Sequence, residues 1–180
     1  MRMEPSDRAL VDRALAGDAG AFGLLVARHY DRIFRVAWRV LGSQADAEDL
    51  AQDVCAALPG KLDGFRAEAR FTTWLHRVVV NAARDRLRRH ATHARAVQGW
   101  GDVETLRRDE ARQAADQQEW LVRAMTALPL DLRETVALVL GEEMTHAEAA
   151  AALGVSEGTV SWRMSEVRKR LRRLAEEERA

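Results

Sequence analysis

Between Phe71 and Arg95 the chain places Trp74, Arg77, Asn81, Arg84 and Arg88 at intervals of 3, 4, 3 and 4. On an α-helix that spacing gathers all five into one stripe. One indole, one amide and three guanidiniums suit nucleic acid. Arginine takes phosphates, asparagine can hydrogen-bond a base edge, and an exposed aromatic stacks on an unpaired base. Taken alone, Trp74 serves equally well as a core residue. Just upstream, Phe65 and Arg66 sit in a loop, KLDGFRAEAR, beside the start of this helix. A loop in that position could hold a base drawn out of the stack. Phe71, Leu75, Val78, Val79 and Ala82 fall roughly opposite the stripe and are expected in the core.

A second block with chemical potential is residues 145–174, THAEAAAALGVSEGTVSWRMSEVRKRLRRL. Thr145 and Glu148 have the spacing of a capping box, Gly154 marks a turn and Ser156 caps a further helix. This is the pattern of a helix-turn-helix. Ala147, Ala150 and Ala151 are small enough for the two helices to approach. Val160, Met164, Val167, Leu171 and Leu174 fall within an arc of about 80°, a buried stripe. The N-terminal part of the second helix of such a motif reaches base edges in the major groove. That assigns Ser156, Glu157, Thr159, Ser161, Trp162 and Ser165 to possible base contact. Arg163, Arg168, Lys169, Arg172 and Arg173 suit phosphates.

Residues 46–53, DAEDLAQD, hold four carboxylates, and Asp46, Asp49 and Asp53 share a helix face. They form either a docking surface for a basic partner or ordinary acidic charge at the positive end of a helix dipole.

The elements that must carry these residues are all helical. Ala, Leu, Arg and Glu dominate, and no strand-like alternation of any length occurs. A first helix is expected from Ser6 to Leu15, stopped by Gly17. A second runs from the N-cap Asp18 to Leu41, with Gly42 after its end and Phe22, Leu25, Val26, Ile33, Val36, Ala37 and Val40 on one side. Ser43 opens a third, which ends at Pro59-Gly60; the long basic helix follows. Residues 96–116 have few large apolar side chains and read as a flexible tether. Helical periodicity resumes near Gln117, breaks at Leu128-Pro129, and continues over Asp131–Leu140. The fold class is therefore all-α: two small helical domains, 1–95 and 117–180, joined by a linker at 96–116.

Composition narrows the function. The chain has 180 residues, 47% apolar and 31% charged, enough to fold around a core. Its net charge is zero, yet the distribution is uneven. Residues 61–95 carry nine Lys/Arg against three Asp/Glu, residues 126–155 one against five, and residues 161–174 six against one. Two basic blocks are thus hidden by acidic ones. The single Cys55 excludes an internal disulfide framework and fits a reducing compartment. No apolar run reaches the length of a membrane span, and no signal-peptide stretch opens the sequence. The chain reads as soluble and cytoplasmic. Of five histidines, only His90 and His93 are close, and they lie among Arg88, Arg89 and Arg95, which disfavours a metal. With no phosphate loop and no nucleophile signature, neither catalysis nor a cofactor is expected.

These stretches together resemble the bacterial RNA polymerase sigma factors of the extracytoplasmic-function (ECF) group. In the first domain the resemblance lies in DAEDLxQ, the Phe65-Arg66 pair, the F-x-TWL start at Phe71 and the N-x-x-x-D-x-LRR end from Asn81 to Arg89. In the second it lies in Leu128-Pro129, the helix that follows, and the GTV of residues 158–160. It covers nearly the whole chain, from about residue 8 to about residue 174. The resemblance implies a sigma-2-like domain, a linker and a sigma-4-like domain. It implies that Asp46, Asp49, Gln52 and Asp53 dock on the β′ clamp helices of core RNA polymerase, with the β flap as a further contact. Phe65 and Asn81 match positions around the pocket for a flipped-out base of the −10 promoter element, and Arg77, Arg84 and Arg88 would track the strand. Residues 156–173 would read the −35 element. An inhibitory anti-sigma factor wedged between the domains is a further implication, and neither a small-molecule substrate nor membrane insertion is implied. This chain departs from the family's commonest pattern at Ala67, where Gly follows Phe-Arg, at Arg70, at Ser161-Trp162 and at Glu166. The runner-up reading is a stand-alone helix-turn-helix regulator, which gives the basic stripe and aromatic loop of the first domain no task.

Overall fold

Most of the helices start where a side chain can satisfy backbone N–H groups that have no partner within the helix; the one that follows Pro129 has no side-chain cap. In the computed structural model, which describes residues 5–96 and 122–177, Ser6 caps α1 (Asp7–Leu15) and Asp18 caps α2 (Ala19–Leu41). Ser43 caps α3 (Gln44–Ala57), accepting from the Asp46 N–H. A short 3-10 turn, Leu62–Gly64, leads to α4 (Phe71–Ala96). After residues 122–127 (α5) come α6 (Leu130–Val139), α7 (His146–Leu153) and α8 (Glu157–Glu177). The capping box at α7 is complete: Thr145 Oγ1 accepts from the Glu148 N–H, and Glu148 accepts from the Thr145 N–H. Ser156 Oγ accepts from the Thr159 N–H at the start of α8. Gly42 and Gly154 close α2 and α7 in the left-handed conformation, at φ 76° and 70°, where a Cβ would be strained.

Among the described residues every regular element is a helix. The first domain packs α1 to α4 around Leu10, Leu25, Ile33, Leu50 and Leu75. The expected face of α2 is buried at Leu25, Ile33, Val36, Ala37 and Val40, while Phe22 and Val26 are half-buried. The second domain packs α5 to α8 around Met125, Leu132, Leu138, Ala149, Val160, Met164 and Val167. The expected linker, apart from Ala96, lies outside the described residues, as do residues 117–121.

Two expectations need correction. The alanines that pack α7 are Ala149, Ala150 and Ala152, whereas Ala147 and Ala151 are exposed. On α4, Val78 and Ala82 are only half-buried, while Thr73, His76, Val80 and Ala83 are buried. The reason is that α4 is covered from two directions, by α2 and α3 and by α7 of the second domain. The two domains also meet where α2 packs against α6.

Candidate nucleic-acid interface

The aromatic loop and the start of α4 form one cluster. Phe65 stands edge-on to Phe71 at 5.4 Å and lies 5.8 Å from Trp74, with Phe71 and Trp74 5.5 Å apart. Phe71 is buried, held by His29 at 5.2 Å, while Phe65 and Trp74 keep part of their rings in solvent. Trp74 is thus both a packing residue and a partly open one. Arg66 is exposed beside them, and Ala67 follows with φ 55°, the left-handed conformation. Along α4, Arg77, Asn81 and Arg88 are exposed and Arg84 is half-buried. The stripe exists as a row, but its members differ in what they touch. Arg88 pairs with Asp85 at 2.9 Å. Arg84 grips Glu134 of α6 with two hydrogen bonds of 2.6 Å and reaches Asn81 at 3.4 Å. Arg77 donates to the carbonyl of Ala151 near the end of α7.

On α8, Ser156, Glu157, Ser161, Trp162, Ser165, Arg168, Lys169, Arg172 and Arg173 are exposed, and Thr159 is half-buried. Trp162 is 61% exposed, so its indole projects from the helix without a core role. Ser161 Oγ lies 2.9 Å from His146 Nδ1, linking α8 to α7. Ser165, Arg168, Lys169, Arg172 and Arg173, with Glu176, line a shallow basic groove of about 410 Å³. Arg163 is different. Its side chain is 13% exposed and turned inward, with Nε 3.4 Å from Asp131 of α6. It sits between the buried Val160 and Met164 positions and braces α8 on α6 rather than joining the outer basic face. Glu166 pairs with Arg170 one turn on.

The acidic side chains of α3 converge on Arg86 of α4, a residue the sequence had not singled out. Its Nη2 lies 2.9 Å from Asp46 and 3.1 Å from Asp49, and its Nη1 3.8 Å from Asp53. Burial would raise the Asp46 carboxyl, but the Arg86 and Ser43 hydrogen bonds outweigh it and hold it below the usual range. Asp49 and Asp53 still face solvent, as does Gln52. An acidic patch is therefore presented outward in a fixed orientation.

A further cluster had no expectation at all. Glu142, between α6 and α7, enters the first domain and is 3% exposed. Arg32 Nε lies 3.0 Å from Oε2; Arg39 Nη1 and Arg35 Nε lie 2.9 and 3.4 Å from Oε1; His76 Nε2 is 3.7 Å away. Burial pushes the carboxyl up, and the His76 and guanidinium neighbours more than reverse it, bringing it down to about 2. The one available sequence signal was the 3, 4 spacing of Arg32, Arg35 and Arg39 on α2. His93, half of the disfavoured histidine pair, has its side chain outside the described residues. Among the described residues no group of three or more metal-ligating side chains occurs.

Residues 25–93 match the family Sigma-70 region 2, and residues 118–179 match Sigma-70, region 4. The ECF RNA polymerase sigma factor SigM of Mycobacterium tuberculosis is 37% identical over 96% of this chain and 86% of its own length. This chain belongs to the ECF sigma factors. The first match takes in α2 to α4 of this sigma factor, with the aromatic loop and the basic stripe; the second takes in the helix-turn-helix. The structure of CnrH in complex with the cytosolic domain of CnrY is similar at a TM-score of 0.73 and 29% identity, covering 96% of this chain and 98% of CnrH. The sigma factor RpoE of Bartonella quintana, in complex with the anti-sigma factor NepR, is similar at 0.70 and 25% identity, covering 85% and 93%. Among the described residues no helix of this sigma factor is long and apolar enough to cross a membrane.

Proposed function

We propose that this sigma factor docks on core RNA polymerase through Asp46, Asp49, Gln52 and Asp53, and that its two basic faces select a promoter. Phe65, Arg66, Trp74, Arg77, Asn81, Arg84 and Arg88 take the −10 element, with an unpaired base held by the aromatic cluster and Asn81. Ser156, Glu157, Thr159, Ser161, Trp162, Ser165, Arg168, Lys169, Arg172 and Arg173 read the −35 element. Arg163 contributes by seating α8 on α6. The observation that carries this reading is the pairing, in one chain, of a partly open aromatic cluster beside a basic helix with a helix-turn-helix whose outer face is basic.

The protein performs no chemical step in this scheme. Capture of unpaired non-template bases shifts the promoter toward the open state. An anti-sigma factor holds the protein in check; support comes from the relative RpoE, whose structure was solved with one. The cellular site of action is the cytoplasm, where the polymerase works.

Run-off transcription with core polymerase over a promoter library tests the assignment. The expected result is selective initiation that core alone lacks. Asn81→Ala and Phe65→Ala should then impair open-complex formation more than initial duplex binding. Tight, selective promoter binding without core polymerase would instead favour the stand-alone regulator.

A further inference from the structure

Where this chain departs from the pattern of its family, at Ser161-Trp162, likeness to relatives assigns no base, and the structure offers a contact of its own. Ser161 lies in the second turn of α8 and is exposed, with Gly158 and Ser165 one turn to either side. Its Oγ lies 2.9 Å from Nδ1 of His146, the first residue of α7. His146 is half-buried, and the capping box of Thr145 and Glu148 fixes its backbone. The two helices already bury apolar residues in one core, Ala149 and Leu153 from α7 and Val160 and Met164 from α8. An exposed hydroxyl bond adds little to that packing.

The bond does fix which way the hydroxyl faces. A serine hydroxyl has one proton to donate and two lone pairs to accept with. A neutral histidine side chain in water carries its ring proton mainly on Nε2, which leaves Nδ1 bare and able only to accept. The Ser161 O–H therefore donates to Nδ1, and Oγ presents lone pairs outward. A phosphate oxygen also only accepts, so this hydroxyl does not suit the DNA backbone. Guanine O6 and N7 and thymine O4 are acceptors too; the donors in the major groove are the amines at adenine N6 and cytosine N4. Trp162 beside it, 61% exposed, carries a donor only. Ser156 and Thr159, the other hydroxyls at the start of α8, engage each other at 2.8 Å.

We infer that His146 is a positioning residue that holds the Ser161 hydroxyl as an acceptor, and that Ser161 thereby selects one −35 base by its exocyclic amine, adenine or cytosine against guanine or thymine. The inference rests on the reading of α8 as the −35 surface. A free hydroxyl turns to meet either kind of base; the contact across the turn of the motif removes that choice. The selecting residue stands on the second helix of the motif, and the residue that sets its preference stands on the first, 15 positions earlier.

The test uses the full chain bound to core polymerase at about pH 8, where an ordinary imidazole is uncharged. A promoter is selected from a library randomised over the −35 element. Each adenine of the selected element is then exchanged for guanine and each cytosine for thymine, with their partners, which puts a carbonyl acceptor where an amine stood. At one position the exchange should weaken binding about tenfold more in the unmodified protein than in Ser161→Ala, as expected when a hydrogen bond becomes two facing acceptors. His146→Phe frees the hydroxyl to turn and donate, so the same exchange should then cost about twofold or less. His146→Asn sets an amide oxygen where Nδ1 stood and should restore the discrimination. A histidine that served packing alone would change affinity for both templates together and leave their ratio as it was, which overturns the inference. So does an element in which Ser161→Ala alters the cost of no exchange, or one in which Ser161 favours guanine or thymine. Each of those results leaves the −35 reading standing. A holoenzyme that selects no sequence in the −35 region sinks that reading, and the inference with it.

Discussion

Arg86 of α4 and Asp46 of α3 share two hydrogen bonds, from Nε at 3.1 Å and Nη2 at 2.9 Å, and this pair fixes the angle at which the acidic patch leaves the protein. The Arg86 side chain is 17% exposed, so the pair is shielded from solvent on the arginine side. Charge-assisted hydrogen bonds of this kind contribute more than exposed ion pairs do.

Arg86→Ala should therefore destabilise the first domain by about 1–3 kcal/mol, because Asp46 loses its partner. Asp49→Ala removes an exposed carboxylate and should cost less than about 0.5 kcal/mol in folding. Urea denaturation compares the two. Binding to core polymerase, measured in parallel, should fall in both.

Ala67 sits at φ 55° in the loop between the aromatic cluster and α4. A left-handed conformation costs a residue with a Cβ about 1–2 kcal/mol. Ala67→Gly should raise the thermal midpoint by a few degrees, less whatever glycine adds to the entropy of the unfolded chain. A midpoint that falls in differential scanning calorimetry would show that Ala67 is not strained.

Glu142 gives the contact between the two domains a defined pH dependence. Its carboxyl is held down at about 2, below its ordinary value of 4.5. A depressed carboxyl stabilises the folded state, with the two domains in contact, fully above the ordinary value. That contribution is lost as pH falls from about 4.5 toward about 2. Its size is of the order of 3 kcal/mol. Glu142→Gln should remove this part of the acid dependence and leave a shallower stability profile between pH 5 and pH 2. Chemical denaturation at stepped pH reads the difference, and parallel profiles for the two proteins would contradict the cage.

Arg172 and Arg163 lie on the same helix and should behave oppositely toward DNA. Arg172 lines the open basic groove, so Arg172→Ala should weaken binding of the polymerase-bound protein across sequences. The salt dependence should flatten by about one phosphate's worth. Arg163 is turned onto Asp131. Arg163→Ala should leave the salt slope alone and lower the stability of the second domain by about 1 kcal/mol. Filter binding over a salt series, with a thermal melt of each variant, separates the two roles.

Much of this protein was legible from one chain. Helix starts were, because Ser6, Asp18, Ser43, Thr145 and Ser156 act on N–H groups three residues away, an interaction local in sequence. The stripe of α8 was legible over Val160, Met164 and Val167, because helical period alone sets it, whereas Leu171 and Leu174, expected in the same stripe, are only half-buried. The basic rows were also readable as rows. Tertiary structure decided which members of a row are available. Arg84 is taken by Glu134, 50 residues on, and Arg163 by Asp131, 32 residues back. Neither partner is implied by spacing along one helix. Glu142 shows the same limit: a lone glutamate after a helix looks like surface charge until three arginines more than 100 residues earlier are brought around it. Local hydrogen bonds and periodicity are properties of neighbours in the chain. The burial of a charge depends on where distant segments meet, and here that meeting turns a neutral total into two matched and opposite surfaces.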